Sequence, residues 1–306
     1  MHYTLKQLTY VEAAARLGSI ANAAAELAIS NSSIAAAIDG FEETLGYEIF
    51  VRTPAKGIAL TPRGSDAMLV IRRLLHRLRH FDAEMQSLDG TARGRLRIAC
   101  YSTAAPAVLP PILRSMTEVM PEVAITVLEG TMKQVQEFIE TGEADLALSY
   151  INDIAPGQVL EPLFCPPPYA LVPATDPIAG SARTTLAELL TRPFIMLDLA
   201  GARETYAALF ESEDLALNIV HTTRSSEILR ALVASGFGVG LLNIRPFDYR
   251  AGESGYRVLP IEGVKASEVF GILRPGSARP PLIVQTFVEN CIALRDAGGF
   301  DHLLVK

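Results

Sequence analysis

The chain has 306 residues, of which 49% are hydrophobic and 20% are charged, so it is long enough for two or three compact domains and too apolar to be disordered. No apolar run reaches the roughly 18 residues of a membrane helix, and residues 1–16 lack the features of a signal peptide, so we expect a cytoplasmic protein with no membrane partner. The formal net charge of −7 argues against a nucleic-acid partner only if charge is spread evenly, and residues 52–79 hold seven basic residues against one acidic residue.

Three short helices are predicted at the N-terminus. Apolar residues at helical spacing mark the first over residues 4–17. Ser19 can cap a second helix over residues 21–27, and Ser30 can cap a third that ends near a glycine at position 46. A tight turn before the third helix fits a helix-turn-helix, in which the last helix enters the DNA major groove by its N-terminal end.

A wing is predicted next. Residues 48–64 suggest two short strands around a Pro-Ala-Lys-Gly turn. Arg52 and Lys56 lie where a wing can reach phosphate, and Arg63 begins the next helix. Any one of these basic residues alone is better explained as a solvated surface charge, but their clustering after a helix-turn-helix favours phosphate binding.

A long helix follows the wing, with Thr61 as its cap and Pro62 in its first turn. Its apolar residues recur at alternating intervals of four and three and form a seam that ends before Gly90. The seam comprises Ala67, Ile71, Leu74, Leu78, Phe81, Met85 and Leu88. Such a narrow seam requires a partner helix, and we expect the same helix of a second chain; the alternative is packing on the chain's own C-terminal domain.

At this point residues 1–90 resemble the LysR-type transcriptional regulators. The segments that carry the resemblance are LTYVEAAARLGSIANAAAELAISNSSIAAAIDGFEETLGYEIFVRT and IALTPRG. The resemblance implies that the third helix and the wing contact double-stranded promoter DNA. The candidate DNA-binding residues are Ser30, Asn31, Ser32, Ser33, Arg52, Thr53, Lys56, Thr61 and Arg63.

The third helix departs from the usual pattern of that family. Ala35 and Ala36 stand where the family usually has a basic residue, and Asp39 and Gly40 replace positions that are often basic or polar. Recognition of guanine by arginine is therefore not available from this helix. Its polar residues remain as donors and acceptors, and we expect the wing to supply more of the affinity.

Strands and helices alternate after a short hinge at residues 91–94. Continuous apolar strands separated by helices predict a mainly parallel α/β sheet. The first helix of this part is predicted from Ala107, opened by Pro110 and Pro111. The family resemblance, which covers essentially the whole chain, implies an effector domain of two α/β lobes of periplasmic-binding-protein type.

The predicted fold class is α+β multidomain. It comprises a winged helix-turn-helix domain over 1–61, a linker and dimerisation helix over 62–90, and an effector-binding domain over 91–306. Within the last domain, lobe I is expected at 95–163 plus 268–306 and lobe II at 164–267.

Ligands of open α/β sheets bind beyond the carboxyl ends of strands, where helix N-termini offer free N–H groups. The candidate effector-binding residues at such positions are Ser102, Thr103, Thr131, Asp198, Arg203, Thr222 and Ser225. Their hydroxyls and the arginine suit a carboxylate, while Tyr101, Tyr150 and Phe247 are expected to flank an apolar body. The serines and Thr131 are explained equally well as helix caps.

Three alternatives are weaker. An enzyme is not indicated, because no catalytic triad spacing, metal cluster or phosphate loop appears and the glycines at 236, 238 and 240 follow a helix instead of a strand. A secreted solute-binding protein is not favoured, because residues 1–16 do not have the features of the signal peptide that such a protein needs. A redox sensor is not clearly supported, because Cys100, Cys165 and Cys291 are few and far apart.

The sequence therefore predicts a LysR-type regulator that is not an enzyme and uses no cofactor or metal. Its promoter binding is expected to respond to a small carboxylate or aromatic metabolite. Its expected partners are promoter DNA, this effector and its own copies, as a dimer through the linker helix and, by resemblance, a tetramer.

Overall fold

The computed structural model describes residues 3–53, 57–150, 154–200, 202–211, 217–251, 253–266, 268–276 and 280–305. The chain divides into two compact units, Met1–Met85 with Glu140–Glu143, and Gln86–Ile139 with Ala144–Lys306. The domain limits given above stay predictions. Among the helices of these residues, none combines the length and the hydrophobicity needed to cross a bilayer.

The predicted three-helix start is confirmed. The helices are α1 (Leu5–Leu17), α2 (Ile20–Glu26) and α3 (Asn31–Leu45). Each begins at a hydroxyl cap, because the side chains of Thr4, Ser19 and Ser30 accept hydrogen bonds from backbone N–H groups in the first turn. Ile34 and Ile38 on α3 are completely buried in the core of this unit. That packing leaves the opposite face of α3 in solvent.

The wing is a two-stranded antiparallel hairpin, β1 (Phe50–Thr53) and β2 (Gly57–Leu60). Glu42 of α3 holds its first strand, because one carboxylate oxygen accepts from the backbone N–H groups of Ile49 at 2.7 Å and Phe50 at 3.0 Å. The wing is thus attached to the same helix whose start is exposed.

The linker helix is α4 (Pro62–Gln86). Thr61 caps it as predicted, since its hydroxyl oxygen accepts from Gly64 N at 2.9 Å. The helix ends at Gln86, so the expectation that the seam continues through Leu88 is wrong, and Leu88 lies beyond the helix. Periodicity alone could not locate this end, because the apolar spacing persists through the turn that follows.

The seam residues of α4 differ in their environment. Ile71 is buried in the core of the first unit. Leu74, Phe81 and Met85 are 44%, 57% and 50% exposed. The outer part of the helix therefore presents large apolar side chains to solvent in a single chain.

The second unit alternates strands and helices. In chain order these are β3 (Gly94–Tyr101), α5 (Ala105–Val119), β4 (Val123–Gly130), α6 (Met132–Glu140), β5 (Leu146–Tyr150), β6 (Gln158–Phe164), β7 (Tyr169–Pro173), a 3-10 turn (Pro177–Gly180), α7 (Leu186–Leu190), β8 (Phe194–Leu197), α8 (Ala202–Glu211), β9 (Ile219–Thr223), α9 (Ser226–Ala234), β10 (Gly240–Leu242), β11 (Tyr256–Pro260), β12 (Phe270–Pro275), α10 (Leu282–Asp296) and a second 3-10 turn (Asp301–Leu303).

The strands form two lobes. Lobe I contains a five-stranded sheet of order β4-β3-β5-β12-β6, and lobe II contains the sheets β10-β7-β11 and β8-β9. The chain passes to lobe II after β6 and returns with β12. The prediction of a mainly parallel sheet is wrong, because β12 pairs antiparallel with β5 and β6, and β7 pairs antiparallel with β10 and β11. A strand that returns from another lobe is not constrained by a helical crossover to run parallel.

The start of α5 also differs from the prediction. The helix begins at Ala105 and contains Pro110 and Pro111 in its interior. Pro106 occupies the first turn, where a missing N–H costs nothing. The sequence pattern predicted Pro110 and Pro111 in the first turn, but both lie inside the helix.

Candidate functional site

The start of α3 carries a cluster of exposed polar side chains. The Ser30 hydroxyl lies 2.8 Å from the hydroxyls of both Ser32 and Ser33, and it accepts a hydrogen bond from Ser33 N at 3.2 Å. Asn31 is exposed beside them. All four predicted residues of this helix therefore lie on one solvent-facing helix start, the part of a recognition helix that contacts base edges.

Arg52 on the wing is paired with α3. Its guanidinium donates to the Asp39 carboxylate and lies 3.8 Å from a carboxylate oxygen of Glu42. Arg52 and Asp39 are both largely exposed. Arg52 was predicted as a phosphate contact, and in the structure Asp39, one of the positions where α3 departs from the family pattern, supplies its counter-charge.

The remaining predicted DNA-binding residues have different surroundings. Thr53 is exposed at the end of β1, and Arg63 is exposed with its guanidinium carbon 5.5 Å from the centre of the Tyr47 ring. Thr61 is engaged as the cap of α4 and donates to the Glu48 carbonyl at 3.1 Å. Lys56 lies outside the described residues.

The second unit contains a cleft between its lobes. Its free volume is about 20 Å³, which is room for about one water molecule. The lining residues are Tyr101, Thr103, Met132, Tyr150, Leu197, Ala202, Tyr206, Arg230, Leu242, Asn243, Ile244 and Glu268. A larger ligand therefore requires the lobes to separate or side chains to move.

Two hydrogen bonds span the cleft. The Tyr150 hydroxyl at the end of β5 donates to Asn243 Oδ1 in lobe II at 2.9 Å. The Thr205 hydroxyl on α8 donates to Glu268 Oε1 at 3.2 Å. Of these four side chains, those of Tyr150, Asn243 and Glu268 also border the cavity.

The cleft has three phenol groups. Burial raises the pKa of Tyr101, Tyr150 and Tyr206, and the nearby Glu268 carboxylate raises each pKa further. The phenols are therefore neutral at physiological pH and can both donate and accept hydrogen bonds. The Tyr101 and Tyr150 rings lie 5.8 Å apart, nearly perpendicular, and form an aromatic wall.

Arg230 supplies the guanidinium of the cleft. It lies on the buried face of α9, and its side chain is 8% exposed. One terminal nitrogen donates to Glu227 and lies 3.4 Å from the Ser226 hydroxyl. Within the described part of the chain, its buried Nε has no hydrogen-bond partner. A buried cation with an unused donor is suited to an anionic ligand group.

Only one of the seven predicted effector residues, Thr103, lines the cleft in the described part of the chain. Asp198 and Arg203 form a surface ion pair at 3.0 Å, and Thr222 is exposed on β9. The other three are Ser102, next to Thr103 before α5, Thr131, at the start of α6, and Ser225, the cap of α9.

The aromatic residues were predicted in part. Tyr101 and Tyr150 line the cleft, but Phe247 is not among its described lining residues. Arg230 was not among the predicted residues, although the sequence carries a signal for it. It follows Ser226 by four residues and precedes Val233 by three, so a charge falls on the buried face of the helix. No local pattern marks Glu268, because this residue reaches the cleft only where the chain returns from lobe II.

The three cysteines differ in exposure, and two of them are buried. All three are free, and Cys165 is exposed. Burial raises the pKa of Cys291 to about 12 and raises that of Cys100 further still. Both buried groups therefore remain thiols at physiological pH, whereas reactive cysteines have lowered pKa values.

Comparisons with known proteins cover both units. Residues 5–65 match the family model described as bacterial regulatory helix-turn-helix protein, lysR family, and residues 89–295 match that of the LysR substrate binding domain. The chain is 27% identical to the HTH-type transcriptional regulator SsuR of Burkholderia cenocepacia, over 79% of this chain and 80% of that protein. It is 31% identical to the regulator IlvY of Escherichia coli, over 70% of this chain and 73% of that protein. The structure of HinK, a LysR family transcriptional regulator from Pseudomonas aeruginosa, is 29% identical, with a TM-score of 0.60 over 96% of this chain and 98% of that chain.

Proposed function

Since the chain belongs to the LysR family of bacterial transcriptional regulators and carries its effector-binding domain, we propose that the first unit binds promoter DNA and that a small metabolite in the cleft changes this binding. The observation that supports DNA binding most directly is the exposed, polar start of α3, together with an exposed arginine on the wing. The family consists of regulators and not of enzymes.

The DNA contacts divide into two kinds. Asn31 and the neighbouring hydroxyls of α3 reach base edges and set sequence preference, whereas Arg52, Lys56 and Arg63 contact phosphates. Phosphate contacts release counterions, so affinity falls steeply as salt rises. Replacing Arg52 by alanine weakens binding to every sequence, while Asn31→Ala changes the preferred sequence. Equal effects of the two substitutions on all DNA sequences would contradict this division.

The pairing of Arg52 with Asp39 leads to a further prediction. Asp39→Asn removes a carboxylate that competes with phosphate for the guanidinium, so DNA affinity is expected to rise about tenfold at moderate salt, and the plot of log affinity against log salt to steepen by about 0.9. Fluorescence anisotropy with a labelled duplex at several salt concentrations measures both.

The matched control is Glu43→Gln, which makes the same change of charge at another exposed position of α3. A control that raises affinity as much as Asp39→Asn would show a general charge effect and not the release of Arg52.

The effector is a small carboxylate or aromatic metabolite held between the lobes. Tyr101 and Tyr150 offer ring faces and hydroxyls, and Arg230 is the one guanidinium among the described lining residues. A carboxylate at Arg230 satisfies its unused donor, and an aromatic body packs on the tyrosines. Binding can alter DNA contacts only through different affinities for two arrangements of the protein.

The test is an electrophoretic mobility shift on the DNA upstream of this gene, with and without a panel of small aliphatic and aromatic carboxylates. We expect a salt-sensitive shift that at least one compound alters. A folded, dimeric protein that shifts none of these fragments at low salt would refute the proposed DNA binding.

Calorimetry with the active compound tests the site itself. Thr103→Val removes a hydroxyl from the cleft lining and is expected to weaken effector binding about tenfold. Thr222→Val makes the same change outside the lining and is expected to leave the affinity unchanged. The reverse result would place the effector near Thr222 and not in the cleft.

A further inference from the structure

Lobe II contains a second cavity, separate from the cleft. Its volume is about 270 Å³, slightly below the roughly 300 to 1,000 Å³ of pockets that hold drug-sized ligands. The lining residues are Glu227, Arg230, Ala231, Ala234, Pro246, Asp248, Tyr249, Ser254 and Tyr256. We call this cavity the lobe II pocket; its size suits a small metabolite.

Arg230 borders both cavities. It lines the cleft on one side and the lobe II pocket on the other. Its buried Nε donor lacks a partner in the part of the chain that the structure describes, while one terminal nitrogen is paired with Glu227. The guanidinium therefore retains an unused donor, and a carboxylate is an acceptor suited to it.

The charges of the pocket are mixed. Glu227 and Asp248 are exposed at its rim, and Arg230 is the buried cation. A simple anion meets two carboxylates on entering, and a simple cation meets the guanidinium. A small zwitterion places its carboxylate at Arg230 and its ammonium group near Glu227 and Asp248, so that each charge faces an opposite one.

The walls of the pocket are aromatic and held in place. The rings of Tyr249 and Tyr256 lie 5.6 Å apart, and the Tyr249 hydroxyl accepts from Val258 N at 3.3 Å. Ser254 is engaged locally, since its hydroxyl donates to the Arg250 carbonyl at 3.0 Å. A wall whose side chains are already ordered loses little entropy when a ligand packs on it.

We propose that the lobe II pocket binds a free α-amino acid, with the carboxylate at Arg230, the ammonium group at the rim acids and the side chain on the two tyrosines. The site shares Arg230 with the cleft, and none of its other described lining residues lines the cleft. Because the Arg230 guanidinium borders both sites, the lobe II pocket is a second ligand site that acts on the same lobe.

The test is isothermal titration calorimetry of the full-length protein with each of the twenty common amino acids. At least one is expected to bind with millimolar or tighter affinity. Asp248→Asn removes one rim charge, and Ala231→Phe fills the pocket without changing charge; each is expected to weaken this binding at least tenfold. Circular dichroism confirms that both variants are folded.

Three controls separate the lobe II pocket from the cleft and identify the ligand class. Thr103→Val in the cleft is expected to leave amino-acid binding unchanged. The N-acetyl derivative and the methyl ester of the same amino acid each lack one charge and are expected to bind at least tenfold more weakly. The proposal is overturned if no amino acid binds, if only Thr103→Val weakens binding, or if either derivative binds as well as the parent.

Discussion

Replacing both Leu74 and Phe81 by glutamate is expected to convert a dimeric protein into a monomer and to weaken its binding to a two-part DNA site by a factor on the order of 100 or more. Both side chains lie on the seam of α4 and are largely exposed in a single chain. In a dimer that pairs these helices, the substitutions place unpaired carboxylates in an apolar interface, which is strongly unfavourable.

The DNA affinity falls because the two DNA-binding domains of the dimer are no longer joined. When two DNA-binding domains are joined, the second binds at an effective concentration that raises overall avidity by about 10² to 10⁴. A monomer loses this gain although its own DNA contacts are intact. Analytical ultracentrifugation measures the association state, and fluorescence anisotropy measures DNA affinity.

Val70→Glu is the matched control. Val70 is 67% exposed on the same helix but lies outside the seam, so this variant is expected to remain dimeric. A double seam variant that is still dimeric would exclude α4 as the dimer interface and would favour the alternative that its apolar residues are covered in another way.

Gly64→Ala is expected to destabilise the first unit by about 3 kcal/mol, an effect at the upper end of those for overpacking. A Cβ atom at this position would lie 2.0 Å from the carbonyl oxygen of Ile49, which is a backbone atom and cannot rotate away. The first turn of α4 would have to move from the wing. That movement also breaks the cap bond from Gly64 N to Thr61.

Hydrogen exchange of the full-length protein measures this change by region. Faster exchange is expected in α1, α3 and the wing, with unchanged exchange in the second unit. DNA affinity falls in parallel, because the wing and α3 lose their common support.

The control is Gly40→Ala, a substitution of the same kind in the interior of α3. Its Cβ meets only the end of the flexible Gln7 side chain at 3.4 Å, so the gain in helix propensity is expected to stabilise the unit by about 0.5 to 1 kcal/mol. Equal destabilisation by both substitutions would show that the contact with Ile49 is not the cause.

Local features of the chain were predictable because their causes are local. Helix starts at Thr4, Ser19 and Ser30 follow from hydroxyl caps, and the strand pair of the wing follows from its turn residues. Thr103, Tyr101 and Tyr150 of the cleft were found because they lie at or just beyond strand ends, whereas Tyr206 on α8 was not. These signals lie within a few residues of the feature that they specify.

Features that depend on distant segments were missed or misassigned. The antiparallel β12 pairs with strands more than 100 residues earlier, and no short-range pattern sets its direction. The counter-charge of Arg52 comes from Asp39 on another element, so the sequence could list both residues without pairing them. The end of α4 at Gln86 was also beyond what periodicity could decide.

By itself the sequence determined the winged helix-turn-helix and the residues that begin α3, because periodicity, caps and turn residues act over a few positions. The class of protein came from the resemblance of the sequence to a known family. Only the tertiary structure decided which side chains meet in the cleft and in the lobe II pocket. Arg230, Glu268 and Asn243 come from separate segments, and they meet because burial of apolar surface packs the lobes around them.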